Sequence, residues 1–278
     1  MSIILNTNMA SLQSQRYLTR STSALGKTFE RLSSGLRVNH AADDAAGLSI
    51  GTRMNAQIRG TNQAVRNTND AVSLVQVADG SLEQTVGALQ RIRELTVQAA
   101  SDTYTTTDRS DIQKEVNQLV NEIGRIATET SFNGQYLLTG SFGTAVGKKI
   151  QVGAYSGQQF GVSIGAATVS AIGINVMSGI SGNSGLGITA LITKVDDAIN
   201  SVAVIRAQLG AYQNRFEAIT ANLETISEGI ASARSRIMDA DIAAETSALA
   251  RNNILQQAGA AMLAQANQQP QIALTLLR

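Results

Sequence analysis

Between Ile192 and Ile237 the apolar residues fall on a single stripe, and no proline interrupts it. Ile192, Val195, Ile199, Val202, Leu209, Tyr212, Phe216, Ile219, Leu223, Ile226, Ile230 and Ile237 follow one another at steps of three, four or seven. This is the spacing of a coiled-coil seam. A helix from Leu191 to Ile237 is roughly 70 Å long at 1.5 Å per residue. A stripe of that length cannot be covered inside a compact ball and needs a partner helix of similar length.

The N-terminal part supplies the partners. Ile58, Val65, Val72, Val75, Leu82, Val86 and Leu89 form one stripe, and Ile112, Val116, Leu119, Ile123 and Ile126 form another. Between them, Ser101 to Asp108 reads as a polar loop rich in N-cap residues. The simplest packing is a helical hairpin with the long C-terminal helix beside it. Pro270 is the only proline, so helix breakers are missing from most of the chain. Aromatic residues make up 4% of the chain and Trp is absent, so Ala, Leu, Ile and Val must fill the core.

The middle of the chain has another character. Glycine clusters from Asn133 to Gly187. Phe132-Asn133-Gly134-Gln135 predicts a turn, because Asn-Gly accepts positive φ. Apolar and polar residues alternate around Ile150, Val152, Phe160, Val162 and Ile164, with Tyr155-Ser156-Gly157-Gln158 between them. That pattern predicts a β-hairpin. Loops are expected from Gly165 to Gly187, with one short strand at Ile174 to Met177. The fold class read from these patterns is mainly α: an elongated helical bundle with terminal coiled-coil helices and a small β-hairpin region in the middle.

Both chain ends carry narrow apolar stripes with little else to bury them. Leu5, Met9 and Leu12 recur at helical spacing, as do Leu18, Leu25, Phe29, Leu32 and Leu36, with a slip of phase between the sets. At the other end Ile242 and Leu249 are a heptad apart, as are Leu255 and Met262. An isolated stripe usually means an intramolecular coiled coil. Stripes outside the main bundle fray unless something docks them. Here association between copies is the better reading.

Nothing in the sequence builds a reaction centre. With no Cys and a single His, disulfides, thiolate chemistry and zinc sites made from Cys or several His are excluded. His40, beside Asp43 and Asp44, reads as a polar turn residue, with the two Asp favourably placed at the start of the next helix. Asp196 and Asp197 point about 100° apart on a helix and do not form a facing dyad. Asp239 and Asp241 read as a solvated pair. Gly185-Leu186-Gly187 matches no phosphate-binding loop. Arg91, Arg93, Arg234 and Arg236 lie close in sequence to Glu94 and Glu228, which reads as ion pairs or subunit contacts. The formal net charge is +1, and no basic patch points to nucleic acid. No stretch approaches the ~20 apolar residues of a membrane span. The first residues, Met1 to Asn8, do not follow the pattern of a secretory signal.

Leu32-Ser33-Ser34-Gly35-Leu36-Arg37-Val38-Asn39, followed by Ala42-Asp43-Asp44-Ala45-Ala46-Gly47, closely resembles the N-terminal signature of bacterial flagellins. Asn6-Thr7-Asn8, Leu89 to Leu95 and Phe132 to Gln135 are similar to further segments of the family. So are Leu209 to Phe216, Ala233 to Ile237, Gln256 to Gly259, Ala264 to Gln271 and Leu276-Leu277-Arg278. The resemblance covers both ends in the right order and leaves the Gly-rich middle uncovered. Leu48 and His40 depart from the usual residue types.

The resemblance implies a terminal coiled-coil domain, residues 1–42 with 239–278, that lines the inner tube of the filament. It implies a helical bundle over 43–238 with a β-hairpin region at about 132–190, and no large outer domain. The implied function is a structural subunit of the swimming filament, with no enzymatic activity and no cofactor; the alternative is a hook–filament junction protein of the same superfamily. Implied partners are other flagellin subunits, the filament cap, hook-associated proteins, an export chaperone and innate immune receptors, with no nucleic acid and no membrane insertion. The implied location is extracellular, reached by type III export without a cleaved signal peptide. The expected assembly residues are Leu5, Met9, Leu12, Leu18, Leu25, Phe29, Leu32, Leu36, Leu249, Leu255, Met262, Leu274 and Leu277. By the same resemblance, Arg91, Leu95 and Glu115 match a patch recognised by Toll-like receptor 5, and Leu274, Leu276 and Leu277 match leucines read by cytosolic inflammasome sensors.

Overall fold

The chain is described from a computed structural model, which covers residues 7–143, 147–175, 177–180 and 185–275. The helices are α1 (Met9–Ser34), α2 (Ala45–Ala99), α3 (Thr106–Glu129), α4 (Gly185–Met238) and α5 (Ile242–Thr275). Between α3 and α4 lie two antiparallel strand pairs. β1 (Ser131–Phe132) joins β2 (Gln135–Tyr136), and β3 (Lys148–Gln151) joins β4 (Gln159–Val162). The mainly α class with a small hairpin region is what the chain adopts. Two compact units result, Gln57–Glu228 and Met1–Ala56 with Gly229–Arg278.

In the Gln57–Glu228 unit the long stripes meet. Val75, Ala78, Leu82, Leu89 and Ile92 of α2 are buried in one cluster with Val116 and Ile123 of α3 and Val195, Val202, Leu209 and Phe216 of α4. Thr68, Thr85 and Thr96 are buried among them. Each donates its hydroxyl to the carbonyl four residues earlier, at 2.8, 3.1 and 2.7 Å, so these three buried hydroxyls are satisfied within the helix. At the surface, Arg206 grips Asp79 through two nitrogens at 2.8 and 3.2 Å, and Arg93 donates to Asp196 at 2.6 Å. α3 opens with a capping box. Thr105 Oγ1 accepts from the Asp108 amide, and the Asp108 carboxylate accepts from the Thr105 amide.

The hairpins follow the sequence reading. Asn133 (φ 49°) and Gly134 (φ 74°) make the β1–β2 turn, and Ile150 faces Phe160 across β3–β4. Phe160 lies edge-on to Tyr212 and Phe216, with ring centroids 5.6 and 5.1 Å away. The Arg215 guanidinium sits 4.2 Å over the Phe160 ring. The turn after β3 comes close to α2: a Cβ on Gly60 would lie 3.0 Å from the Ala154 Cβ. Asn67 donates to the Gln151 carbonyl at 3.1 Å beside it.

Among the described residues of the Ile174 to Met177 stretch, the expected strand does not form. Ile174, Met177 and Ile180 are all buried at steps of three, and Met177–Gly179 is a 3-10 turn. Buried Gln113 of α3 takes the place of a strand partner. Its Nε2 donates to the Met177 carbonyl and its Oε1 accepts from the Ile180 amide, both at 2.8 Å.

Gly80 and Gly87 lie inside α2 with open space where a Cβ would stand. Glycine in a helix interior costs roughly 0.5–1 kcal/mol relative to alanine. Gly80→Ala and Gly87→Ala are each expected to raise the urea midpoint of the isolated subunit accordingly. A lowered midpoint would mean the helix surface is crowded there.

Candidate assembly surface

The Met1–Ala56 and Gly229–Arg278 unit is organised by caps and a clasp. Asn8 caps α1, its side chain accepting from the Ser11 amide at 3.0 Å. Gly35 ends α1 with φ 69°, donating its amide to the Arg31 carbonyl. The expectation that Leu36 continues the α1 stripe is therefore corrected: Leu36 lies beyond the cap and forms a β-bridge with Asp239. The same loop closes the end of α4. The Met238 carbonyl accepts from the amides of Arg37 at 2.7 Å and Val38 at 3.4 Å. The Arg37 guanidinium donates to the Ile237 carbonyl. Ala240 returns a bond to the Gly35 carbonyl at 2.9 Å. Met238 fills the space left by Gly51, where a Cβ would meet its sulfur.

Asp43 organises the rest of this loop. Its carboxylate accepts from the amides of Asn39 (3.3 Å) and His40 (3.2 Å). Chiefly through the His40 bond, it titrates below the ordinary carboxylate range. Its hold is complete above the unfolded-state pKa and is lost as pH falls through the depressed value. His40 is exposed, its Nε2 lying 2.7 Å from Glu30.

α1 and α5 pair antiparallel, since Asn8 reaches Ala266 and Arg31 reaches Glu245. The face of α1 turned to α5 consists of Ser11, Ser14, Leu18, Ser21, Leu25, Thr28 and Leu32. The facing side of α5 has Glu245, Leu249, Asn252, Gln256, Gly259, Leu263 and Ala266. This seam is half polar. Ser11 donates to Asn267 at 2.7 Å, Ser21 to the Asn252 carbonyl at 3.3 Å, and Asn252 to Thr28 at 3.3 Å. Arg31 and Glu245 meet at 3.1 Å. Polar seam positions fix register and orientation at a cost in stability.

The expected assembly residues separate into two groups. Leu18, Leu25, Leu32 and Leu249 are half-buried along the seam, and Leu36 is half-buried at the clasp. Met9, Leu12, Phe29, Leu255 and Met262 are exposed, as are Tyr17, Ile242 and Ile254. Leu5, Leu276 and Leu277 lie outside the described residues, and Leu274 falls in α5. The sequence reading missed the seam's polar half and Tyr17. A signal was present: Ser14, Ser21 and Thr28 recur every seven residues, in step with Leu18, Leu25 and Leu32.

In the other unit, Arg91 and Glu115 are exposed and joined at 2.9 Å, with Glu94 as a second partner of Arg91 at 3.0 Å. Leu95, expected beside them in a recognition patch, is 2% exposed and belongs to the core. The structure brings together the two charged members and turns the leucine inward. Among the described residues there is no cluster of three metal-ligating side chains, and no helix is long and apolar enough to cross a membrane.

Comparison with known proteins identifies this helical framework. Residues 5–143 match the bacterial flagellin N-terminal helical region, and residues 192–277 match the bacterial flagellin C-terminal helical region. The chain is 42% identical over 292 residues to the flagellar filament 33 kDa core protein of Treponema phagedenis, covering 99% of this chain and all of that one. It is 42% identical over 302 residues to the flagellin of Bacillus subtilis, covering 99% of each. A solved structure from Vibrio parahaemolyticus described as a flagellar hook-associated protein shares the fold, with a TM-score of 0.62 at 13% identity over 71% of this chain and all of that one. With both helical regions present and relatives matched along nearly their whole length, the chain belongs to the bacterial flagellin family.

Proposed function

We propose that α1 and α5, within an assembly domain of residues 1–42 and 239–278, are the surface through which this subunit joins its own kind. The chain is a structural subunit of the flagellar filament, an extracellular structure. One observation carries the finer reading. The α1–α5 pair spends much of its seam on Ser, Thr and Asn while Met9, Tyr17, Phe29, Leu255 and Met262 stay more than half exposed. A soluble helix pair normally does the reverse. Apolar side chains gathered outside a polar seam mark a surface completed by a neighbour.

The same arrangement suits a subunit exported unfolded through the channel of the growing organelle. Helices of this kind are marginal in water when alone. They fold where other subunits, the cap or hook-associated proteins present an apolar face, and an export chaperone covers them until then. Arg91 and Glu115 are the residues through which an innate immune receptor contacts the free subunit, with Leu95 supporting them from the core.

Hydrogen exchange tests the reading. Amides of α1 and α5 are expected to exchange quickly in the free subunit and to gain strong protection in filaments, while the core part of α2 changes little. Equal protection of α1 and α5 in both states would overturn it.

A further inference from the structure

Asn133-Gly134 is the single Asn-Gly pair of the chain, and it makes the turn between β1 and β2. Both residues are exposed, and both have positive φ. The Asn133 carboxamide and the Gly134 amide form no hydrogen bond among the described residues. A Cβ built on Gly134 would meet nothing within 4 Å, so nothing crowds this residue. Another asparagine with a small successor is held differently: Asn200 and Ser201 lie inside α4, where backbone amides are committed to the helix.

We propose that this pair is a self-modification site, at which Asn133 converts to isoaspartate and opens the β1–β2 hairpin. The Gly134 nitrogen attacks the side-chain carbonyl carbon of Asn133 and gives up its proton. The bond from that carbon to the side-chain nitrogen breaks, and the nitrogen leaves with the proton as ammonia. A five-membered succinimide ring remains, and one water molecule opens it at either of its carbonyls. Cleavage on the side-chain carbonyl gives an ordinary aspartate. Cleavage on the main-chain carbonyl gives isoaspartate, whose backbone runs through Cβ. No electrons are transferred, and water is the only co-reactant. The attack requires the turn to loosen, and a ladder of two residue pairs opens at little cost.

The two products differ in what the turn tolerates. Aspartate is accepted before glycine in a two-residue hairpin loop as asparagine is. Isoaspartate lengthens the main chain by one atom, and Ser131–Tyr136 and Phe132–Gln135 then lose their register. The change reaches buried residues. Leu137 and Leu138 follow β2 directly and are both 0% exposed. Leu137 donates its amide to the Thr130 carbonyl at 3.1 Å, and the Leu138 carbonyl accepts from the Ala167 amide at 2.9 Å. Phe132 packs against the same core. A solvent-facing turn thereby carries a record of time since folding to the interior, independently of how the subunit assembles.

The test incubates the full-length subunit at mildly alkaline pH beside a peptide spanning Thr130 to Tyr136. Isoaspartate is counted with a protein isoaspartate methyltransferase and labelled S-adenosylmethionine, and is located by mass spectrometry. Formation at residue 133 is expected within about tenfold of the peptide's rate, as for a loop of low local stability. Asn133→Gly retains a sequence suited to the same turn and should take up no label there. In the isoaspartate fraction the Leu137 amide should lose its protection from hydrogen exchange, while the aspartate fraction keeps it. An unmodified residue 133 after the peptide has converted would overturn the proposal. So would equal labelling of Asn133→Gly, or isoaspartate at 133 that leaves Leu137 fully protected.

Discussion

Subunits lacking residues 1–34, or lacking residues 251–278, are expected to keep a folded Gln57–Glu228 unit and to form no filaments. The core of that unit is drawn from α2, α3, α4, the β3–β4 hairpin and the segments around it, such as Leu137, Leu138, Ile164 and Ile174, and no residue of α1 or α5 is among its buried members. Its unfolding transition should therefore persist in both truncations. Cutting at residue 34 spares Arg37 and Val38, whose amides complete the end of α4. What disappears is one helix of the α1–α5 pair. The survivor loses its partner helix and with it the polar ties from Asn8 to Ala266 and from Arg31 to Glu245. A helix without a tertiary partner is marginal in water, so the paired surface is not available to a neighbour. Thermal circular dichroism reports the retained core, and sedimentation with negative-stain microscopy after seeding reports assembly. Normal filaments from either truncation would contradict the account.

Phe216→Ala is expected to destabilise the subunit by about 3–5 kcal/mol. Phe216 is 0% exposed and is the largest fully buried side chain of the core. Few aromatic residues exist to replace it, and it supports Phe160 at 5.1 Å, so its loss also undermines the hairpin seated on α4. Such edge-on ring pairs add about 0.5–1.5 kcal/mol beyond area burial. Urea denaturation of the free subunit measures the total. A loss below about 1 kcal/mol would show that the hairpin and α4 are not one cooperative body.

Much of this was legible in the residue pattern because long helices write their period plainly. The Ile192–Ile237 stripe predicted α4, although the helix begins earlier, at Gly185, where glycine gives no helical signal. Thr105 to Asp108 announced a capped start and became one. Asn133-Gly134 announced a tight turn and became one. The failures share a cause: apolar periodicity counts side chains without saying which neighbour covers them. Leu18 and Phe29 stood in one expected stripe, yet one is half-buried at the seam and the other exposed. Leu36 continued the spacing, but Gly35 in the left-handed region had already ended the helix. Leu95 was expected on the surface beside Arg91 and Glu115, whereas its position on α2 turns it to the core. Ile174 to Met177 looked like a strand, and only Gln113, some 60 residues away, supplied a different set of hydrogen bonds.

Arg37 and Ile237 are joined across a sequence separation of 200 residues. The donors that finish α4 are made early, and the carbonyls they serve are made late. A chain arriving N-terminus first thus carries an incomplete latch until nearly all of it has emerged. Order at one extremity is conditional on the other, so a partially delivered subunit has no stable terminal structure to commit prematurely.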